Sequence, residues 1–62
     1  MSEASLYRAR AEQCRAEADA ATLENVRERC LRAEAAWIAM AERGDAMRAA
    51  LDLAKATAAA AE

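Results

Sequence analysis

The sequence contains no proline, phenylalanine or histidine, and it has only one glycine, two cysteines, one tryptophan and one tyrosine. Because proline and glycine end helices most strongly, their near absence leaves helix ends to weaker capping residues. The lack of histidine removes the commonest metal ligand and the usual general base. In a chain of 62 residues, this composition predicts one small domain over residues 1–62 that is not an enzyme and uses no metal or cofactor.

Long apolar runs and an excess of basic residues are also missing. The longest apolar run, residues 35–41, has seven residues, whereas a membrane span needs about 20. The first five residues include an acid and no basic residue, a pattern that predicts no secretory leader. A net charge of −2 gives no overall attraction to nucleic acid or anionic lipid. We therefore predict a cytoplasmic protein that does not contact a membrane and for which nucleic acid is a disfavoured partner.

The sequence is rich in alanine, which accounts for 21 of the 62 residues. Alanine favours helices more than any other residue but buries little surface. Alanine, glutamate, lysine, leucine and arginine together make up 43 residues, well above the roughly one half that is typical of coiled coils and long helices. The composition therefore predicts an all-α fold with a thin core.

Two weak signals divide the chain into three predicted helical segments. Thr22 can cap the N-terminus of a helix, and Glu24 follows in the first turn, where the helix dipole favours an acid. Gly44 suits the position after a helix, and Asp45 can cap the next one. We predict helices over about residues 3–20, 23–43 and 46–60.

An unbroken second helix is an open alternative, because the apolar periodicity of residues 23–43 continues through Gly44 to Met47 and Leu51. A glycine inside a helix costs about 1 kcal/mol relative to alanine, which packing could offset. In this alternative a single helix covers about residues 23–58.

Apolar and small residues spaced three and four apart form one row, here called a seam, on each of the first two helices. The first seam contains Ala4, Tyr7, Ala11, Cys14, Ala18 and Ala21, and the second contains Leu23, Val26, Cys30, Ala33, Trp37 and Met40. If the chain turns at Thr22, residues equidistant from it become neighbours, which pairs Tyr7 with Trp37. The two seams then predict an antiparallel helical hairpin. Its predicted core is Tyr7, Cys14, Val26, Cys30, Trp37 and Met40.

Charged residues beside the seams give mixed support to this pairing. The hairpin would set Glu17 near Arg29 and Arg8 near Glu34, but also Arg15 near Arg27. Each exposed contact contributes only a few tenths of a kcal/mol, so charge does not decide the topology.

One hairpin of this composition has little to bury, since a lone core below about 70 residues rarely supplies more than roughly 3–5 kcal/mol. Leu31 and Ile38 lie seven residues apart, on a second face of their helix that one partner helix cannot cover. We predict that a second copy completes the fold as a dimeric bundle. The alternatives are a three-helix bundle, in which segment 46–60 covers that face, and folding only on a partner. The predicted self-association residues are Leu31, Ile38, Met47 and Leu51.

The two cysteines and the arginines are the remaining candidates for chemistry. Without histidine, Cys14 and Cys30 make no zinc site within one chain. A disulfide between them is disfavoured because the axes of packed helices are about 8–10 Å apart, whereas the Cα atoms of a disulfide lie within about 7 Å of each other. We interpret both as free thiols in the core, with a redox or metal sensor as an alternative. The arginines alternate with acids, which indicates a solvated face. A dimer could still collect Arg8, Arg15 and Arg27 into a stripe that binds nucleic acid.

The stretch from Tyr7 to Arg43 resembles short, uncharacterised helical-hairpin proteins of alphaproteobacteria. The similarity lies in residues 7–12, Cys14, residues 18–22, Arg27, Leu31, Ala33, Trp37 and residues 40–43. The resemblance implies a helical hairpin and no particular activity, and it does not extend to residues 44–62.

These observations favour a small non-enzymatic interaction or regulatory protein: a helical hairpin that forms a homodimer and presents its charged outer face to an unidentified protein partner. An RNA-regulatory or nucleic-acid-binding four-helix dimer and a thiol-based sensor are the alternatives.

Overall fold

The computed structural model describes residues 2–61, which form two helices joined by a short turn. Helix α1 covers Glu3–Ala20 and helix α2 covers Glu24–Ala61. The two helices pack against each other in antiparallel directions, and the described residues contain no strand. The predicted all-α hairpin is therefore confirmed.

Local hydrogen bonds define both ends of α1. The Ser2 hydroxyl oxygen accepts a hydrogen bond from the Ser5 N–H at 3.1 Å, and Glu3 occupies the first turn. Both features stabilise the positive end of the helix dipole. At the other end Ala21 adopts an extended backbone (φ −69°, ψ 135°), and its N–H donates to the Ala18 carbonyl. Helix α1 therefore ends without glycine or proline.

The turn lies at the predicted position, but the residue that caps the N-terminus of α2 is not the predicted one. The Arg27 N–H donates to the Leu23 carbonyl at 3.0 Å, so the hydrogen bonding of α2 begins at Leu23 rather than at Thr22. The Thr22 side chain is exposed. The predicted reversal of the chain is thus correct, and the predicted helix start is one residue too early.

The predicted break at Gly44 is wrong, and the unbroken alternative is confirmed, because α2 continues through Gly44 without a positive φ angle. Residues 46–60 are therefore part of α2 and not a third helix. A Cβ atom at Gly44 would lie 3.9 Å from the Ala4 Cβ atom, so this glycine sits where α1 passes close to α2. Packing at this point and the strong helix formers around Gly44 offset the propensity cost of one glycine.

Alanine forms the fully covered part of the helix–helix contact. Ala18 is 1% exposed, Ala41 is 0% exposed, and Ala11 is also buried. The predicted core side chains surround these alanines and are all half-buried: Tyr7, Cys14, Val26, Cys30, Trp37 and Met40. The Tyr7 and Trp37 rings lie across from each other with centroids 5.7 Å apart. Small residues therefore set the closeness of the helices, and the larger ones fill the margins.

The two helices differ greatly in length, with 18 residues in α1 and 38 in α2. At 1.5 Å per residue, α2 is longer by about 30 Å. The radius of gyration is 16.7 Å, against the roughly 11 Å expected of a compact chain of this size. We call residues 46–61 the overhang, because the N-terminal end of α1 lies opposite Gly44 and every residue beyond it in α2 is exposed.

The position of Gly44 gives a first testable prediction. The variant Gly44→Ala should raise the free energy of unfolding by about 0.5–1 kcal/mol, because alanine favours the helix and its methyl group would meet Ala4 at an ordinary contact distance. Urea unfolding followed by circular dichroism measures this change. The matched control, Ala50→Gly at an exposed position of α2, should lower stability by a similar amount. A Gly44→Ala variant less stable than the parent protein would contradict a continuous helix.

Candidate functional site

The overhang exposes the seam of α2 after α1 has ended. The seam continues beyond Met40 with the same spacing of three and four residues, through Gly44, Met47, Leu51, Ala54, Ala58 and Ala61. Met47 is 63% exposed and Leu51 is 55% exposed. The same face of α2 is thus covered by α1 over residues 24–44 and uncovered over the overhang. This uncovered face is the first candidate interaction surface.

Leu31 and Ile38 lie seven residues apart on one flank of α2. Leu31 is half-buried, Ile38 is 40% exposed, and no third helix covers them, since residues 46–61 continue along α2. Ile38 lines an open groove of about 540 Å³. The other lining residues are Arg8, Ala11, Glu12, Arg15, Ala16, Asp19 and Glu34. This second candidate surface has a small apolar floor and a charged border.

The four residues predicted to mediate self-association do not form one surface. Ile38 and Met47 are nine residues apart, which at about 100° per residue places them on opposite sides of α2. Met47 and Leu51 belong to the overhang, and Leu31 and Ile38 belong to the flank that contains the groove. A single partner helix cannot cover both pairs.

Ion pairs between the helices follow a different register from the predicted one. Arg8 pairs with Asp45, and Arg15 Nη1 lies 3.5 Å from Glu34 Oε1 and also close to Asp19. The predicted Arg8–Glu34 and Glu17–Arg29 pairs are not among the salt bridges of residues 2–61. Helical side chains tilt toward the N-terminus of their own helix, and in an antiparallel pair these tilts are opposed. Ala4 also lies beside Gly44, whereas equidistance from Thr22 would set it at the level of Met40. The side-chain tilt therefore adds to a shift of the backbone register, and each arginine of α1 reaches an acid further along α2 than the predicted pairing.

The Arg8–Asp45 contact has an electrostatic consequence. The hydrogen bond from the guanidinium to the Asp45 carboxylate, together with the charge of that carboxylate, raises the pKa of Arg8 above its ordinary value. Sequence reasoning gave Asp45 a capping role and missed this contact. The tilt of helical side chains, added to the predicted hairpin, is the signal that would have indicated it.

The arginine stripe proposed from the sequence is partly neutralised. Two of its three members, Arg8 and Arg15, already contact carboxylates, and the groove beside them also contains Glu12. Arginine that is paired with an acid has less charge available to replace the counterions of a phosphate backbone. These contacts therefore weaken the hypothesis that the arginines bind nucleic acid.

Both cysteines are free and half-buried. The Cys30 thiol donates a weak hydrogen bond to Glu17 Oε2 at 3.9 Å. No group of three or more histidine, cysteine, aspartate or glutamate side chains within residues 2–61 is arranged to hold a metal ion.

The exposed area shows how much of the molecule is left uncovered. The accessible surface is 4920 Å², whereas a folded monomer of this mass exposes roughly 3,900 Å². The excess of roughly 1,000 Å² exceeds the roughly 800 Å² that each partner buries in a standard protein–protein interface. The hairpin thus has enough surplus surface for one complete interface.

Two further findings bear on the kind of protein this is. No helix within the described part of the chain is long and apolar enough to cross a membrane. No family model, curated protein or solved structure matches the chain.

Proposed function

We propose that this chain is a non-enzymatic interaction protein, a helical hairpin whose biochemical role is to self-associate and to present a charged outer face to a protein partner. One observation supports this proposal most directly. The seam that α1 covers on the first half of α2 continues onto the overhang, where Met47 and Leu51 have no helix beside them.

The lack of packing along the overhang supports the same conclusion. Most of the stability of helices in proteins comes from tertiary packing of an apolar face rather than from helix propensity. The overhang has 16 residues and buries none of them. A partner along its apolar face would supply the packing that α1 supplies to the rest of α2.

A dimer is the assembly that this surface favours. The surplus of roughly 1,000 Å² over an ordinary monomer matches the area that one copy contributes to a stable interface. Most soluble homo-oligomers are two-fold dimers, in which one patch serves both copies. In this proposal the overhang pairs with another copy in a coiled-coil-like contact, and the Ile38 groove with its charged border remains available to the unidentified partner.

The two other functions have less support. A nucleic-acid-binding dimer would use Arg8 and Arg15, which instead contact carboxylates. A metal sensor would need a cluster of ligands, and residues 2–61 contain no group of three or more histidine, cysteine, aspartate or glutamate side chains that could hold a metal ion. A cytoplasmic location, which belongs to the proposal, agrees with two free thiols.

Sedimentation equilibrium tests the proposed self-association. We expect the purified protein to sediment at about twice its chain mass of 6.7 kDa, and the double variant Met47→Glu/Leu51→Glu to sediment as a monomer, because the buried seam would then carry four unpaired carboxylates per dimer. The matched control is Leu53→Glu, which changes a leucine that is 69% exposed and lies about 160° around α2 from Leu51, and which should remain dimeric. A parent protein that is monomeric at high micromolar concentration would overturn the proposal.

A further inference from the structure

We infer that the overhangs of two copies pair in antiparallel directions, so that each copy continues the track that α1 follows along the other copy's α2. This inference rests on the proposed self-association and adds the direction and the register of the two helices. The occupant is the same segment of a second chain, residues 46–61.

The spacing of the seam is symmetric about its own centre. Over the overhang and its boundary, the seam positions follow one another at intervals of 3, 4, 3, 4 and 3: Gly44, Met47, Leu51, Ala54, Ala58 and Ala61. The order of intervals is the same in both directions, so an antiparallel copy matches every position. Met47 then lies opposite Ala58, and Leu51 lies opposite Ala54.

This register pairs a large residue with a small one at its central levels, Met47 with Ala58 and Leu51 with Ala54, whereas Gly44 and Ala61 at its ends are both small. The hairpin itself is built in the same way, since its buried positions are alanines and the larger side chains of α2 lie around them. A parallel pair would instead set Met47 against Met47 and Ala54 against Ala54. The two methionines would hold the helices apart, and the two alanines would then be too short to fill the space between them. Alternation of large and small residues is what close packing of helices requires.

The end of α1 limits the register further. Ala4 lies opposite Gly44, so α1 occupies the seam from Gly44 toward the turn. In the symmetric register the partner's Ala58 reaches the level of Met47, the first seam position beyond Gly44, and the partner's helix leaves the seam after that turn because Ala4 already covers Gly44. A shift of one heptad toward the turn would drive the partner's helix into α1, and a shift the other way would remove Met47 from the contact.

The charges of the overhang also favour the antiparallel direction. Its three charged residues, Arg48, Asp52 and Lys55, all lie on one flank of the overhang, with Lys55 about 70°, Arg48 about 90° and Asp52 about 130° from the centre of the seam. Antiparallel helices bring equivalent sides together, so Asp52 of each copy lies beside Lys55 of the other, and the pair occurs twice. In a parallel dimer this side would face the uncharged side of the partner.

Arg48 has acidic neighbours in its own hairpin. It lines a cleft of about 260 Å³ at the N-terminal end of α1, which also contains Glu3 and Asp45. The remaining charges at the centre of the overhang, Asp52 and Lys55, are therefore the ones that can select the partner's direction.

Isotope-filtered nuclear Overhauser spectroscopy on a mixture of labelled and unlabelled chains tests the register without altering the protein. We expect intermolecular contacts between the Met47 methyl group and Ala58, and between Leu51 and Ala54. A dimer whose intermolecular contacts come from Leu31 and Ile38, or from Met47 to Met47, would overturn the antiparallel overhang and leave the proposed self-association standing. A monomer would overturn both.

Charge exchange tests the electrostatic part independently. Asp52→Lys and Lys55→Asp should each raise the dimer dissociation constant about threefold to tenfold, because each change alters two symmetric contacts, and the double exchange should restore the parental value. Glu28→Lys, an equally large change at an exposed position beside the turn, is the matched control and should leave dimerisation unchanged. Two single variants with parental affinity, or a double variant weaker than either single one, would contradict the pairing of Asp52 with Lys55.

Discussion

Replacing Trp37 by alanine is expected to lower the free energy of unfolding by about 2–4 kcal/mol and to leave much of the hairpin unfolded at room temperature. The substitution removes the largest side chain of the helix–helix contact and its aromatic partner interaction with Tyr7, whose ring centroid lies 5.7 Å away. A core of this size supplies only roughly 3–5 kcal/mol in total, so a loss of this magnitude is most of its stability. Urea unfolding followed by far-ultraviolet circular dichroism gives the measurement.

The control for this prediction is Trp37→Phe, which keeps an aromatic ring against Tyr7 and should cost less than half as much. Self-association adds to the measured stability in both variants, so the comparison is made at one protein concentration. A Trp37→Ala variant that loses less than about 1 kcal/mol would show that the ring pair does not hold the helices together.

The second large effect is expected from adding a larger side chain to the helix–helix contact, whereas Trp37→Ala removes one. Ala18 is 1% exposed and lies where α1 packs against α2. A leucine at this position has no room unless the helices separate, and overpacking of this kind costs about 1–3 kcal/mol. Alanine and leucine have similar helix propensities, so the loss in Ala18→Leu reports packing and not helix formation.

Ala9→Leu makes the same chemical change on the exposed side of α1 and should leave the unfolding midpoint nearly unchanged. The contrast between the two variants isolates the close approach of the helices as the cause. Equal stability of Ala18→Leu and Ala9→Leu would mean that α1 and α2 are not in close contact at Ala18.

Much of the hairpin could be predicted from the sequence, because the apolar spacing and the capping signal that specify it are local and periodic. Two rows with the same spacing, together with a capping signal near Thr22, are enough to place Tyr7 opposite Trp37, and the rings are indeed neighbours. The continuation of α2 through Gly44 was harder to predict, because glycine commonly follows the last residue of a helix, yet a single glycine within a helix costs only about 1 kcal/mol. The position of Ala4 beside it, which is a tertiary fact, and the strong helix formers on both sides of Gly44 together explain why the helix continues there.

The charged contacts and the candidate surface were less predictable for a different reason. Backbone pairing places residues by level, but long side chains reach beyond their own level, so Arg8 contacts Asp45 and Arg15 contacts Glu34. The three-helix alternative needed segment 46–60, with Met47 and Leu51, to fold back over Leu31 and Ile38. Once α2 is continuous, these residues separate onto two sides of the same helix.

The buried alanines have a consequence for how so small a contact can hold. Fixing a leucine or methionine side chain in a core restricts its rotamers and opposes folding, whereas alanine has no rotamers to lose. At Ala11, Ala18 and Ala41 the two helices come together with no loss of side-chain conformational entropy. Each buried alanine therefore contributes little hydrophobic free energy to folding, but it also loses little conformational entropy. The stability of the hairpin depends less on the amount of buried apolar surface than on the small number of side chains that must be immobilised.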